Sequence, residues 1–282
     1  MNTLDAVSRL GRDMAGSWAV MPGLQAMRWC GAVALSLPSI VCTRKLYAAD
    51  LMMRGEARFR ALGQEFRFDI DAINATPGNG YAFLRELFVR NIYFRAFVRP
   101  RFDVCLDLGC NIALVSMVLR QLAGPSGRVV AVDVIDHVGN QFCAEARRQP
   151  GIAFEQAFLC SDVLRRDADR LARVQAEYGF DAALCATVGE VMARHGVAHV
   201  DFLKMDVEGA EFDIFAERCD WLTRVDNVAM EVHPDMGGDP RLIVDRLREN
   251  GFAVQWCDPY GFDCAMEPAG YVYGSRVGQL RN

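Results

Sequence analysis

The chain has only four histidines in 282 residues and no CxxC pair, so the ligand spacings of structural zinc sites are missing even though ten cysteines are present. Those cysteines stand at 30, 42, 105, 110, 143, 160, 185, 219, 257 and 264, spread over the whole length rather than clustered as a disulfide framework. Several, such as Cys105 and Cys185, lie inside apolar strand-like runs, where a free thiol packs as a small core residue. A reducing, cytoplasmic compartment is therefore expected. A basic excess is also lacking. Thirty-six acidic side chains face 31 Lys and Arg, giving a net charge of −5, so no global field draws nucleic acid and none is expected as a partner. Internal repeats and low-complexity segments are absent. The apolar run at 29–42 has 14 residues, contains Pro38 and is flanked by Arg28 and by Arg44 and Lys45. It is too short to span a bilayer comfortably. As a signal peptide it starts late, behind Asp5 and Asp13, without a small-residue cleavage site. A helix packed against the domain is preferred here over an interfacial membrane anchor.

What is present is an ordinary globular balance, 52% hydrophobic and 24% charged, enough for one large domain or a domain with an extension. Residues 1–50 read as helical, 57–70 as a β-hairpin about Gly63, 76–80 as a turn, and 81–98 as a helix studded with Arg85, Arg90 and Arg95 and ended by Pro100. From 104 onward strands and helices alternate. Strands are expected at 104–109, 128–134, 152–159, 199–207 and 227–234, with a closing pair at 252–258 and 269–275. Helices are expected at 111–123, 138–148, 164–178, 189–195, 210–219 and 240–250. This alternation predicts an α/β fold: a doubly wound, mostly parallel seven-stranded sheet, one strand antiparallel, preceded by a helical and hairpin extension over 1–100. In such sheets a ligand sits outside the carboxyl ends of the strands, where the strand order reverses.

Three apolar strands end there on a carboxylate: Asp107, Asp133 and Asp206. Gly109 after Asp107 permits a tight turn, and Asp133 is placed to accept hydrogen bonds from both hydroxyls of a ribose. Either aspartate alone reads more readily as a helix cap or a solvated strand end; the pair favours a nucleoside. The full GxGxxG pattern is missing, since Gly109 is followed by Asn111 and Ala113, and a carboxylate at Asp107 would repel a diphosphate. S-adenosylmethionine, with a sulfonium, an ammonium and no phosphate, suits these residues.

The segment 104–117, VCLDLGCNIALVSM, resembles the first motif of class I methyltransferases, which use that cofactor. The segment 201–215, DFLKMDVEGAEFDIF, is very similar to the signature of the FkbM family of O-methyltransferases. AFLCSD at 157–162 resembles that family's adenine-side strand end, and NVAMEVHP at 227–234 its following strand. The resemblance spans about 102–258. It departs from the family at Cys110 and Ala113, at Val132, Asp133 and Val134 in place of Phe-Glu-Pro, and at Gly189 in place of aspartate. It implies that Asp107, Gly109 and Asn111 line the methionine and ribose side, Asp133 the ribose, Asp162 the adenine, and Asp206 the sulfonium. It also implies a hydroxyl acceptor on a small molecule, sugar or glycolipid, and a lid built from the residues before 104. Candidate bases are His233, Asp206 and Glu208, with His233 favoured by an ordinary pKa near neutrality. Glu208 and Glu211 read equally well as anions at a helix start. Asp206, Glu208 and His233 are also of metal-ligand type, but sequence does not give their separation and no metal is assigned. The rival reading is a non-catalytic nucleoside-binding scaffold.

Overall fold

The computed structural model describes residues 3–43, 45–74, 80–137, 139–258 and 270–281. The chain divides near residue 95 into two units.

The first unit starts with α1 (Thr3–Val20), α2 (Gly23–Leu35), α3 (Leu37–Thr43) and α4 (Tyr47–Asp50). An antiparallel hairpin follows, β1 (Glu56–Ala61) and β2 (Gln64–Asp69), then α5 (Ile70–Asn74) and α6 (Tyr81–Leu84). The hairpin turns at Leu62 and Gly63, as the alternation about Gly63 predicts, and Gly63 takes φ 77° without a Cβ to obstruct it. Ala57, Phe59, Phe66 and Phe68 form its buried face, and Phe59 stacks on Phe88 with centroids 4.6 Å apart. The helix expected over 81–98 is much shorter: α6 passes into a π-helical turn over Arg85–Val89, and Asn91 at φ 54° takes the chain out of helix. In that turn Arg85 is buried and bonds to Asp50 (2.8 Å) and Asp13 (2.8 Å), while Arg90 also reaches Asp13. Trp29 Nε1 donates to the same Asp50, so one buried ion cluster ties α1, α2 and α4 to the π turn. The turn expected at 76–80 lies largely outside the described residues.

The second unit alternates as its sequence does. In order it comprises β3 (Val104–Leu108), α7 (Leu114–Leu122), β4 (Arg128–Asp133), α8 (Gln141–Arg147), β5 (Ile152–Gln156), β6 (Phe158–Leu159), α9 (Asp162–Arg166) and α10 (Ala168–Tyr178). It continues with β7 (Cys185–Ala186), α11 (Val188–Arg194), β8 (Val200–Met205), α12 (Ala210–Ala216), β9 (Val225–Val232), α13 (Pro240–Glu249), β10 (Ala253–Cys257) and β11 (Gly270–Ser275). Seven strands form one sheet in the order β10-β11-β9-β8-β3-β4-β5, with β11 antiparallel to both neighbours. This is the doubly wound, mostly parallel sheet that the sequence predicts. β8 is buried at every position because helices cover both faces, which is why its sequence is mostly apolar, with Asp201 and Lys204 as its polar exceptions. The third strand is shorter than expected: β6 leaves the sheet and pairs with β7. The expected helix at 164–178 is broken at Asp167, whose side chain caps α10 by accepting from Arg170 N. The strand order reverses between β3 and β8, so their carboxyl ends open the crevice where ligands of such sheets bind.

Candidate functional site

Asp107 stands directly opposite Lys204 in the parallel register of β3 and β8. Both are buried, and Lys204 Nζ lies 3.2 Å from Asp107 Oδ1 and 3.9 Å from Asp206 Oδ2. Lys204 also donates to the carbonyl of Gly109 at 2.5 Å, and Ser116 Oγ donates to Asp107 Oδ2 at 2.6 Å. Burial on its own would lower the Lys204 pKa, but the charges of Asp107 and Asp206 outweigh it, so the pKa is raised and the ammonium stays charged. Asp107 therefore does not line a ligand surface, which corrects its expected role. Its side chain has no exposed area and braces the loop from beneath. Lys204 and Ser116 were not singled out from sequence. A lysine inside an otherwise apolar strand is the signal that points to a buried charge partner.

The loop after β3 is pressed against the loop after β8. Gly109 has φ 73°, and a Cβ there would fall 1.6 Å from the carbonyl oxygen of Asp206, so only glycine fits. Asp206 N donates to Leu108 O at 2.9 Å, while Gly109 N and Cys110 N both donate to Val132 O. Asn111 N then donates to Asp133 Oδ2 at 2.7 Å, and Ile135 N to Asp133 Oδ1 at 2.9 Å. The structure thus brings Gly109, Asn111, Asp133 and Asp206 to one edge. Asn111 (φ 48°) and Ala113 (φ 64°) take the left-handed conformation without being glycine. Ala113 does so where the resembled motif carries glycine, which would adopt it without strain.

A second group stands beside this loop. After Asp206 the chain turns through Glu208 (φ 48°) and Gly209 (φ 92°) into α12. Glu211 is buried; its Oε2 accepts from Gly209 N at 2.8 Å and its Oε1 from His233 N at 2.7 Å. His233 Nδ1 lies 3.2 Å from Glu211 Oε1, and its Nε2 is 3.7 Å from Asp206 Oδ1 and 3.6 Å from Glu208 Oε2. Burial alone would lower the His233 pKa. The Glu211 hydrogen bond and the charges of Glu211, Asp206 and Glu231 outweigh it and push the pKa up to about 9. The raised pKa favours the imidazolium at neutral pH, whereas the sequence alone points to a base poised near neutrality. Glu208 has its pKa raised, by loss of water and by the neighbouring Asp206 and Glu211, against the pull of His233. Ligand atoms of Asp206, Glu208 and His233 lie within 4.8 Å of one another, a set that could hold a divalent cation.

Asp162 is not part of this edge. Its carboxylate pairs with Arg165, and it lines a cavity of about 320 Å³ together with Thr187, Glu217 and Trp221, away from Gly109, Asn111 and Asp133. Ser161 caps α9 by accepting from Leu164 N, which places Asp162 in the first turn of that helix. His195 pairs with Glu155 (2.8 Å), and His199 with Asp226 (3.1 Å) at the opposite, amino-terminal end of the sheet. A second cluster of possible metal ligands, His199, Asp201 and Asp226, lies at that end, where Asp201 is already bonded to Val104 N.

A domain model described as the methyltransferase FkbM domain matches residues 181–254. No curated protein matches the chain significantly. Among solved structures the chain resembles fibrillarin of Aeropyrum pernix, described in complex with natively bound S-adenosyl-L-methionine (16% identity, 78% of this chain and 94% of that one, TM-score 0.42). It also resembles the fibrillarin pre-rRNA processing protein of Methanococcus jannaschii (13%, 79% and 94%, TM-score 0.42). A third is a putative rRNA methylase of Clostridium thermocellum (13%, 70% and 97%, TM-score 0.39). The fold is a Rossmann-like, doubly wound α/β fold built on one mostly parallel seven-stranded sheet. Assignment to the FkbM family, expected from residues 201–215, is corrected. The matching domain model covers about a quarter of the chain and leaves out β3, β4 and the whole Asp133 edge, so it does not show the family for this chain.

Proposed function

We propose that this chain transfers a methyl group from S-adenosylmethionine to a hydroxyl of a small-molecule, sugar or glycolipid acceptor. The observation that carries the reading is Asp133. Its half-exposed carboxylate ends β4 at the crevice edge, and each oxygen accepts one backbone N–H, from Asn111 and from Ile135. Each oxygen keeps a further lone pair, which is what the two adjacent hydroxyls of a ribose require. The donor set suits a cationic nucleoside and not a dinucleotide: Lys204, which could otherwise meet a phosphate, is buried against Asp107 and Asp206. When bound, the cofactor supplies an electrophilic methyl carbon.

The chain's own task is to hold the acceptor oxygen in line and remove its proton. With the His233 pKa raised by Glu211 and Asp206, a carboxylate is the better proton acceptor. Glu208 fits best, because its side chain reaches solvent (73% exposed) beside Asp206 and His233. His233, 3.6 Å away, positions it. Asp206 faces the crevice between Lys204 and His233 and suits a cationic cofactor group.

Calorimetric titration with S-adenosylmethionine and S-adenosylhomocysteine tests the reading. Saturable binding of both is expected, weakened roughly tenfold or more in Asp133→Ala by loss of two hydrogen bonds to a charged group. Unimpaired binding in that variant sinks the ribose assignment. No binding by the folded chain replaces the proposal with the scaffold reading.

A further inference from the structure

The apolar run at 29–42 does not pack as one helix. It breaks at Ser36, where α2 and α3 meet at 66°. α2 buries one stripe, Ala26, Trp29 and Val33, into the first unit. Its opposite stripe, Leu24, Met27, Gly31 and Leu35, faces outward, at the same helical spacing. In α3 no side chain is buried, and Leu37 and Val41 stand exposed. Leu35 and Val41 are each 74% accessible and Leu24 69%, so this is a continuous apolar face on two successive helices and not scattered single residues. A surface helix of a water-soluble unit turns a polar face outward; α2 instead carries apolar side chains on its outward stripe as well as its buried one, and α3 exposes Leu37 and Val41.

The charges around this face have one sign. Between Ser8 and Leu51 the acidic side chains are Asp13 and Asp50, both buried in the Arg85–Arg90 cluster. Among the described residues of the same stretch the exposed charges are Arg12, Arg28 and Lys45, and exposed Trp18 and Tyr47 stand on the neighbouring helices. An outward apolar stripe edged by cations and by amphipathic aromatic rings is complementary to an anionic lipid surface. A second copy of this chain laid on the same face would set like charges against each other. No single described helix is long and apolar enough to cross a bilayer; α2 and α3 would be so only as a bent pair, and α2 is committed along its other stripe to the unit's core, which favours a peripheral position.

We infer that the α2–α3 face of the first unit docks peripherally on anionic membrane surfaces. The reading does not depend on methyl transfer. The test is co-sedimentation of the full chain with phosphatidylcholine vesicles with and without phosphatidylglycerol. Binding to the anionic vesicles is expected, weakened by added salt. Leu24→Glu, Leu35→Glu and Val41→Glu together should lower the partition on the order of tenfold or more, because the apolar insertion is lost. Arg28→Glu with Lys45→Glu should lower it by a similar factor on anionic vesicles only. All five positions are exposed, so folding is retained, which thermal melting checks. Failure of the wild-type chain to sediment with either vesicle overturns the inference. So does equal binding by the triple variant, and so does a wild-type dimer that the triple variant abolishes without vesicle binding.

Discussion

Raising the pH through the range in which His233 loses its proton should destabilise the second unit, and His233→Gln should remove that dependence. Burial by itself disfavours the imidazolium. The hydrogen bond to buried Glu211 and the charges of Glu211, Asp206 and Glu231 more than compensate and hold the folded pKa at about 9. In the unfolded chain the group titrates near its ordinary 6.5. The folded state therefore holds the proton more tightly. The stabilisation is fully present below about pH 6.5 and is lost progressively as the pH rises through about 9. The gap corresponds to on the order of 3 kcal/mol, and with the side chain only 13% exposed, solvent screening removes little of it. Urea unfolding at a series of pH values, followed by tryptophan fluorescence, reads the slope, and the imidazole carbon-bound proton resonance reads the midpoint. A midpoint near 6.5, or a slope that His233→Gln leaves unchanged, refutes both the charged assignment and the choice of Glu208 over His233 as base.

Lys204→Met should cost about 3–5 kcal/mol in urea unfolding, because it leaves Asp107 buried without its cation, and adding Asp107→Asn to it should restore most of the loss; a cost below about 1 kcal/mol would show that the pair is not coupled. Gly109→Ala should destabilise by about 2–5 kcal/mol, from an unfavourable φ and from a methyl group driven against Asp206 O, and should weaken cofactor binding with it; a chain of unchanged thermal midpoint would show that the two loops part at no cost.

Most of the second unit's fold was legible because a strand buried on both faces leaves an unbroken apolar run, as at residues 129–132, and because Gly and Asn punctuate the helices between. Where the reading failed, the cause was tertiary. Periodicity over 81–98 predicts one helix, but it cannot register that Arg85 must meet Asp13 and Asp50, contacts 72 and 35 residues away, from a π turn. The candidate site was legible as positions and not as directions. Asp107 and Asp133 end neighbouring strands in similar sequence settings, yet the first turns inward to Lys204 and Ser116 and the second outward to the crevice. Only the parallel register, which pairs Asp107 with Lys204, distinguishes them. Likewise the ordinary pKa of histidine favoured His233 as a base, and the buried Glu211 that reverses this reads in sequence as a helix-start anion.

The same register explains why so many carboxylates can gather on one edge. Asp107, Asp206, Glu208 and Glu211 come within reach of one another through two loops, and repulsion among them would open the loops unless cations were built in. Lys204 serves the inner pair and His233 the outer three, each with its pKa raised by the carboxylates it holds. Carboxylates still outnumber cations there, and Asp133 adds one more at the neighbouring strand end. An edge of net negative charge repels phosphate and attracts a sulfonium and an ammonium group. The electrostatics of the loop scaffold and the proposed preference for a cationic cofactor thus rest on one arrangement, and a charge change at Lys204 should disturb both together.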